Sequence, residues 1–221
     1  MLRRTAIWAI LSLIVIVSAP LCAIAREPQL VVNIVVSSLR SNDLSRYADN
    51  FSEGGFRRLM DGGVYFTSAY HDYAICSTAT GIATLTTGAQ PSSHGVVGQE
   101  WWNYIDSSRV SLIDDSKARP IEFSIGAESC APHRLVPPTI GAMLITANPK
   151  SKNITIAIDA LSAVVATGHR GIAYWAESNK THWTTSSAYT ESLPQWVDNY
   201  NQLGFNDIYH MERWTPIYYA K

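Results

Sequence analysis

The chain is poor in cysteine, with three in 221 residues, and no pair of them has zinc-cluster spacing. It also lacks an excess of positive charge: 17 Lys and Arg stand against 18 Asp and Glu. A nucleic-acid binder usually shows a basic stripe, so that class is disfavoured. There is no internal repeat and no low-complexity linker. One apolar run approaches membrane-spanning length, and it sits at the N-terminus. A further lack concerns chemistry. The run LVVNIVV, residues 30–36, ends at Ser37-Ser38. In an open parallel sheet, ligands bind in the crevice beyond the carboxyl ends of the strands. A hydrolase holding a metal there needs a carboxylate on that strand, and this one offers two serines.

What is present begins with an export signal. Arg3 and Arg4 precede an apolar stretch from Ala6 to Val17, and Ala23-Ile24-Ala25 fits the small-x-small cleavage rule. Residues 1–25 therefore read as a signal peptide, with an uncleaved membrane anchor as the competing reading. A lipoprotein site at Cys22 fits less well, because Pro20 and Leu21 precede it. Cleavage leaves 196 residues with a net charge of −3, enough for one domain with a real core. The expected location is periplasmic or secreted, with no membrane attachment after cleavage. Cys76 and Cys130 remain, either as a disulfide or as two isolated buried thiols.

Leu30–Val36 reads as a fully buried strand, because a continuous apolar run has no solvated face. Asn42 to Asp61 reads as a helix interrupted at Gly54-Gly55, and Gly63 to Tyr70 as a second strand. Ser77 to Thr87 is expected to be a short helix stopped by Gly88, and Thr139 to Ala147 a helix with Thr139 as N-cap. Ile154 to Ile158 is another short buried strand. Strands alternating with helices predict an α/β fold with a mostly parallel sheet flanked by helices. From about residue 173 to 200, Trp175, Trp183, Tyr189, Trp196 and Tyr200 lie among Ser, Thr and Asn. That segment reads as an aromatic-rich cap rather than sheet.

The stretch from "VVNIVVSSLR" through "FSEGGFRRLM", "STATGIATLTTGAQPSSHGVVGQEWW", "APHRLVPPTIGAML" and "ITIAIDALSAVVATGH" to the aromatic segment resembles the alkaline phosphatase superfamily. It is most similar to the type I phosphodiesterase/nucleotide pyrophosphatase branch, and within it to secreted bacterial phosphate-irrepressible alkaline phosphatases. The resemblance covers nearly all of residues 26–221, read as the N-terminal part of such a domain. It implies two zinc ions at the carboxyl edge of the sheet. It also implies a threonine or serine at a helix start that attacks phosphorus. Two metals clamp the attacking and leaving oxygens, and the helix start favours the anionic phosphoryl group.

Carried over residue by residue, the resemblance puts Thr78 at the nucleophile position. Read without it, Thr78 merely caps a helix. The aspartate that ends the family's first strand as a zinc ligand aligns with Ser37. The phosphoryl-binding asparagine aligns with Gln99, which adds a methylene. A lysine and an arginine that bind the transferred group align with Asp159 and Leu161. The proline and histidine of the nucleophile segment align with Thr80 and Ile82. His94 and His169 match family positions and read as scaffold residues. His71-Asp72 alone has no chelating geometry.

The family's enzymes run well beyond the length of this sequence, and their remaining zinc-binding aspartates and histidines lie in that later part. The expectation is therefore a truncated fold with an exposed sheet edge that a protein partner covers, in an exported phosphatase-like protein impaired in catalysis. The alternatives are an active zinc-dependent phosphomonoesterase or phosphodiesterase using Thr78, with ligands from another chain, and a glycan-binding surface module built on Trp183 and Trp196. A phosphorylated small molecule is the expected ligand under the phosphatase readings. Asn50, Asn153 and Asn179 head glycosylation sequons.

Overall fold

A threonine-rich segment such as TATGIATLTT is a weak helix former by composition, since β-branched side chains lose χ1 freedom in a helix. It nevertheless forms a ten-residue helix, because both ends are capped and one face is buried. In the computed structural model, which describes residues 28–121, 129–177, 182–204 and 213, this helix is Thr78–Thr87. Ser77 is its N-cap and accepts from the Thr80 N–H at 3.3 Å. Gly88 closes it with φ +68°, the left-handed conformation that glycine adopts without a Cβ penalty. Ala79, Thr80, Ile82, Ala83 and Thr86 are buried.

In chain order the elements are α1 (Ser41–Arg46), a 3-10 turn (Ala48–Asn50), α2 (Phe56–Gly62), α3 (Thr78–Thr87) and α4 (Pro91–His94). These are followed by β1 (Glu100–Asn103), β2 (Ser108–Ser111), β3 (Pro120–Ile121), α5 (Ile140–Ala147) and β4 (Ile154–Ala157). Then come α6 (Ala160–Thr167), β5 (Ile172–Ala176), β6 (Trp183–Ser186) and α7 (Gln195–Gln202). The expected α5 start holds: Thr139 caps it by accepting from the Ala142 N–H at 3.3 Å. Its hydroxyl also donates to the Thr167 carbonyl at 2.9 Å, tying α5 to the end of α6.

The class is α/β, as the sequence pattern indicates. Within the described residues the larger sheet is mixed. It runs β3-β6-β5-β4, and β4–β5 is its one parallel pair. The parallel pair brackets α6, the expected β-α-β crossover. β6 and β3 then return antiparallel. The other edge of β4 has no strand partner among the described residues, and Ile154 and Ile156 stand half exposed along it. β1 and β2 form a separate antiparallel hairpin, Glu100 opposite Ser111.

Several expectations are corrected. The predicted strand Leu30–Val36 forms no strand and pairs with no described strand, and its side chains are exposed. β-Branched composition favours a pleated surface, but burial requires neighbours that the local sequence does not supply. Residues 63–70 are loop with a turn at residues 67–68, not a strand. The single helix read from 42 to 61 is three short pieces, because Gly55 takes φ +59° as the N-cap of α2. The aromatic segment is not a surface excursion throughout. Residues 172–176 and 183–186 are strands of the main sheet, and Trp175 is 5% exposed within the core. Cys76 and Cys130 are not joined: Cys76 is exposed and Cys130 buried. The signal-peptide reading of residues 1–25 lies outside the described residues.

The chain divides into two compact units, one through Val36 and one from Ser37. In the second unit the core joins α3, α6, β5 and the hairpin. Ala79, Ile82, Ala83, Val96, Leu112, Cys130, Ala163, Val164 and Trp175 belong to one buried cluster. Fully burying a Val or Leu side chain contributes about 1.5–3 kcal/mol, so this cluster holds the start of α3 in place.

Candidate functional site

Thr78 is the first residue of α3 and is exposed. No hydrogen bond engages its hydroxyl among the described residues, whereas the neighbouring Ser77 and Thr80 hydroxyls pair with each other at 2.6 Å. A free hydroxyl at the positive end of a helix is positioned to meet an anion. His71 lies beside the same turn, its Nε2 4.0 Å from where a Cβ on Gly81 would project. Thr80 and Ile82 are 1% and 7% exposed, so both serve the cap and the core, not the site.

The other predicted positions carry structural duties. Asp159 is the N-cap of α6. Its Oδ1 accepts from the Ser162 N–H at 2.8 Å and its Oδ2 from the Ser162 hydroxyl at 2.8 Å. The carboxylate thus already supplies the negative charge that this helix start favours. Leu161, two residues on, packs half-buried against the core. Gln99 is exposed in the bend before β1, and its carbonyl accepts from Leu112 N–H at 2.9 Å. Ser37 is exposed in a turn, and Ser38 beside it takes φ +63°. Ala79 and Ala160 share the buried cluster, so the structure anchors the starts of α3 and α6 in one core. No described interaction brings Ser37 or Gln99 onto Thr78.

A zinc pair needs anionic or imidazole ligands converging on one point. Among the described residues no group of three or more His, Cys, Asp or Glu is so arranged, and Ser37 is neutral. These side chains by themselves do not fit the metal centre that the family resemblance implies.

The two histidines at family positions bond to the scaffold. His94 is fully buried; its Nδ1 accepts from the Val96 N–H at 3.0 Å, and its Nε2 lies 3.2 Å from the Thr84 hydroxyl. That hydroxyl is 3.1 Å from the Tyr73 hydroxyl. Because Nδ1 accepts, the ring is neutral with its proton on Nε2. Burial lowers its pKa from the ordinary histidine value. The unfolded chain therefore binds a proton more readily than the folded one. The stability associated with neutral His94 is present above about pH 6.5 and is lost as pH falls from there toward the lower folded pKa. Thermal midpoints measured from pH 8 to pH 5 are expected to fall in this window, and His94→Gln is expected to flatten the fall. An equal slope in the variant would remove His94 as its cause. His169 bonds the Leu135 carbonyl through Nε2 at 2.7 Å.

Sequence reasoning missed the Tyr73–Thr84–His94 chain, because three residues far apart in sequence meet only through α3 packing. It also missed a polar cleft on α7, although the i, i+3, i+7 spacing of Gln195, Asp198 and Gln202 carried the signal. The Asn153 sequon is committed structurally: its amide donates to Thr167 and Arg170 carbonyls at 3.1 and 2.6 Å.

With the geometry in hand, comparison with known proteins is informative. The family model for type I phosphodiesterase / nucleotide pyrophosphatase matches residues 31–214. The chain belongs to that family. Alkaline phosphatase PafA of Elizabethkingia meningoseptica is 31% identical over 180 residues, covering 79% of this chain and 33% of that protein. A protein of Myroides odoratus named calcium-transporting ATPase is 32% identical over 196 residues, covering 87% of this chain and 35% of that protein. The crystal structure of PafA superposes with a TM-score of 0.78 at 26% identity, over 81% of this chain and 35% of that one. A solved PafA variant with a threonine, an asparagine, a lysine and an arginine substituted gives 0.80 at 26% identity, over 83% and 36%. The chain thus spans about a third of the length of the relatives it matches. Its α/β fold is that of alkaline phosphatase PafA over the shared part. No helix among the described residues of this family member is long and apolar enough to cross a membrane.

Proposed function

We propose that this chain is an exported, alkaline-phosphatase-like phosphoesterase relative in which the nucleophile position is kept and the phosphoryl-holding groups are not. The observation that carries this is Asp159. It caps α6 through Oδ1 on the Ser162 N–H, and its Oδ2 accepts from the Ser162 hydroxyl, in the position where the resemblance calls for a phosphate-binding lysine. Its negative charge repels a phosphoryl dianion, and its capping bonds already satisfy the helix end that would otherwise attract one. Leu161 supplies no donor, and Gln99 reaches one methylene too far. The substituted PafA supports the correspondence. Its four altered residue types are the four that the resemblance assigns here, and its threonine-to-asparagine spacing equals that from Thr78 to Gln99.

The free Thr78 hydroxyl favours a second reading, in which it attacks a phosphate ester while another polypeptide supplies metal ligands. Binding of inorganic phosphate tests the first reading without requiring turnover. Calorimetry is expected to show weak phosphate binding by the native chain and tighter binding by Asp159→Asn, which keeps a capping side chain but loses the charge. Asp159→Lys is expected to cost about 1–2 kcal/mol of stability, since it removes the cap and puts a cation at the positive helix end. Tight phosphate binding by the native chain, indifferent to Asp159, would contradict this assignment.

A further inference from the structure

Leu30–Val36 form neither helix nor strand, and the segment is exposed along its whole length. Six of its seven side chains are aliphatic, and all six face solvent, Leu30 at 79% and Ile34 at 76% exposure. From Gln29 to Leu39 no residue is charged, and none is proline or glycine. Charges, prolines and bulges are the devices that keep an open strand from pairing with another chain, and the first two are missing here. A β-branched segment of this length, uncharged and without proline, has the composition that pairs with copies of itself.

We propose that Leu30–Val36 is a self-association strand, pairing antiparallel with the same segment of a second copy about a two-fold axis at Asn33. The choice of a second copy follows from the order of the residues. A contact between identical patches requires a surface that is its own complement. Read outward from Asn33, the segment is nearly palindromic: Val32 and Ile34, Val31 and Val35, Leu30 and Val36. Antiparallel pairing about Asn33 sets each of these opposite its counterpart, aliphatic against aliphatic. It also sets Asn33 opposite Asn33, where one amide donates to the other. A shift of one residue would set each Asn33 opposite Val32 or Ile34, so the amide fixes the register. Ser37 joins the segment directly to the second compact unit, Ser37–Lys221. A unit of that length has a radius of gyration of about 16 Å. In a longer ladder the first and third copies would leave from the same end only two strand spacings apart, about 10 Å. Their larger units would overlap, so association stops at two. The pairing uses no residue of the Thr78 site and does not depend on the phosphoester reading.

The test is sedimentation equilibrium of the purified chain over a wide range of concentrations. A monomer–dimer equilibrium is expected. One variant carries Val32→Lys with Ile34→Lys, and another carries Val32→Glu with Ile34→Glu. Each should weaken pairing about tenfold or more, because like charges then stand directly opposite each other. Both positions are exposed, so neither variant removes a packed side chain. An equimolar mixture of the two should recover a one-to-one dimer, since position 32 of each copy then faces the opposite charge at position 34 of the other. A monomer at every concentration, pairing that neither variant weakens, no recovery on mixing, or growth past the dimer would each overturn the assignment.

Discussion

The purified chain, supplied with Zn²⁺ and either p-nitrophenyl phosphate or bis-p-nitrophenyl phosphate, is expected to turn over neither ester appreciably above the rate without protein. Losing one positioned oxyanion donor costs about 10²–10³ in rate in a serine hydrolase. Under the proposed correspondence three such donors are altered, at Gln99, Asp159 and Leu161, and Asp159 adds repulsion as well. These effects act on one transition state and do not simply multiply. Even partial combination places catalysis about 10⁴-fold or more below an intact site. The decisive control is Thr78→Ala. If the native chain hydrolyses either substrate and Thr78→Ala abolishes it, the first reading fails; Thr78-dependent hydrolysis that appears only when a second polypeptide is added is the result the second reading requires. If a trace rate survives in Thr78→Ala, it belongs to a contaminant or to bound metal. Asp159, Gln99 and Leu161 changed together to Lys, Asn and Arg should raise phosphate affinity, but at a cost in stability at α6.

The largest effect on folding is expected at Gly171, where the chain enters β5. Its φ is +137°, a conformation that residues with a Cβ rarely adopt. A Cβ there would lie 2.6 Å from the Asn153 carbonyl oxygen and 2.6 Å from its amide nitrogen. The carbonyl is backbone and accepts the Ile172 N–H at 2.9 Å, so it cannot retreat without breaking the β4–β5 register. Strain of about 1–3 kcal/mol adds to overpacking of about 1–3 kcal/mol. Gly171→Ala should therefore lose about 2–6 kcal/mol in urea unfolding, a large part of a typical domain's 5–15 kcal/mol. A loss under about 1 kcal/mol would show that β4 and β5 are not registered as described.

Much of the scaffold around the candidate site was legible in the residues. Thr78 to Thr87 was bounded by a capping serine before it and a glycine after it, and both signals act within four residues. Thr139 announced α5 in the same way. The run ITIAI was a strand by composition, and it is β4 apart from its last residue, but it is not the buried strand expected, since Ile154 and Ile156 are half exposed. The residue identities at Ser37, Gln99, Asp159 and Leu161, on which the proposed loss of phosphoryl-holding groups rests, were likewise legible, because side-chain chemistry does not depend on the fold.

What tertiary structure alone decided is which elements find partners. Leu30–Val36 has the composition of a buried strand yet pairs with no described strand, whereas residues 172–176, with Tyr174 and Trp175, lie in the middle of the sheet. Local propensity for β structure is satisfied only by neighbouring strands, and those come from distant parts of the chain. Asp159 is the same lesson at one residue. Its charge was written in the sequence, but only the folded α6 shows that both oxygens are spent on Ser162. Identity sets what a side chain can do; packing sets which of those things it does.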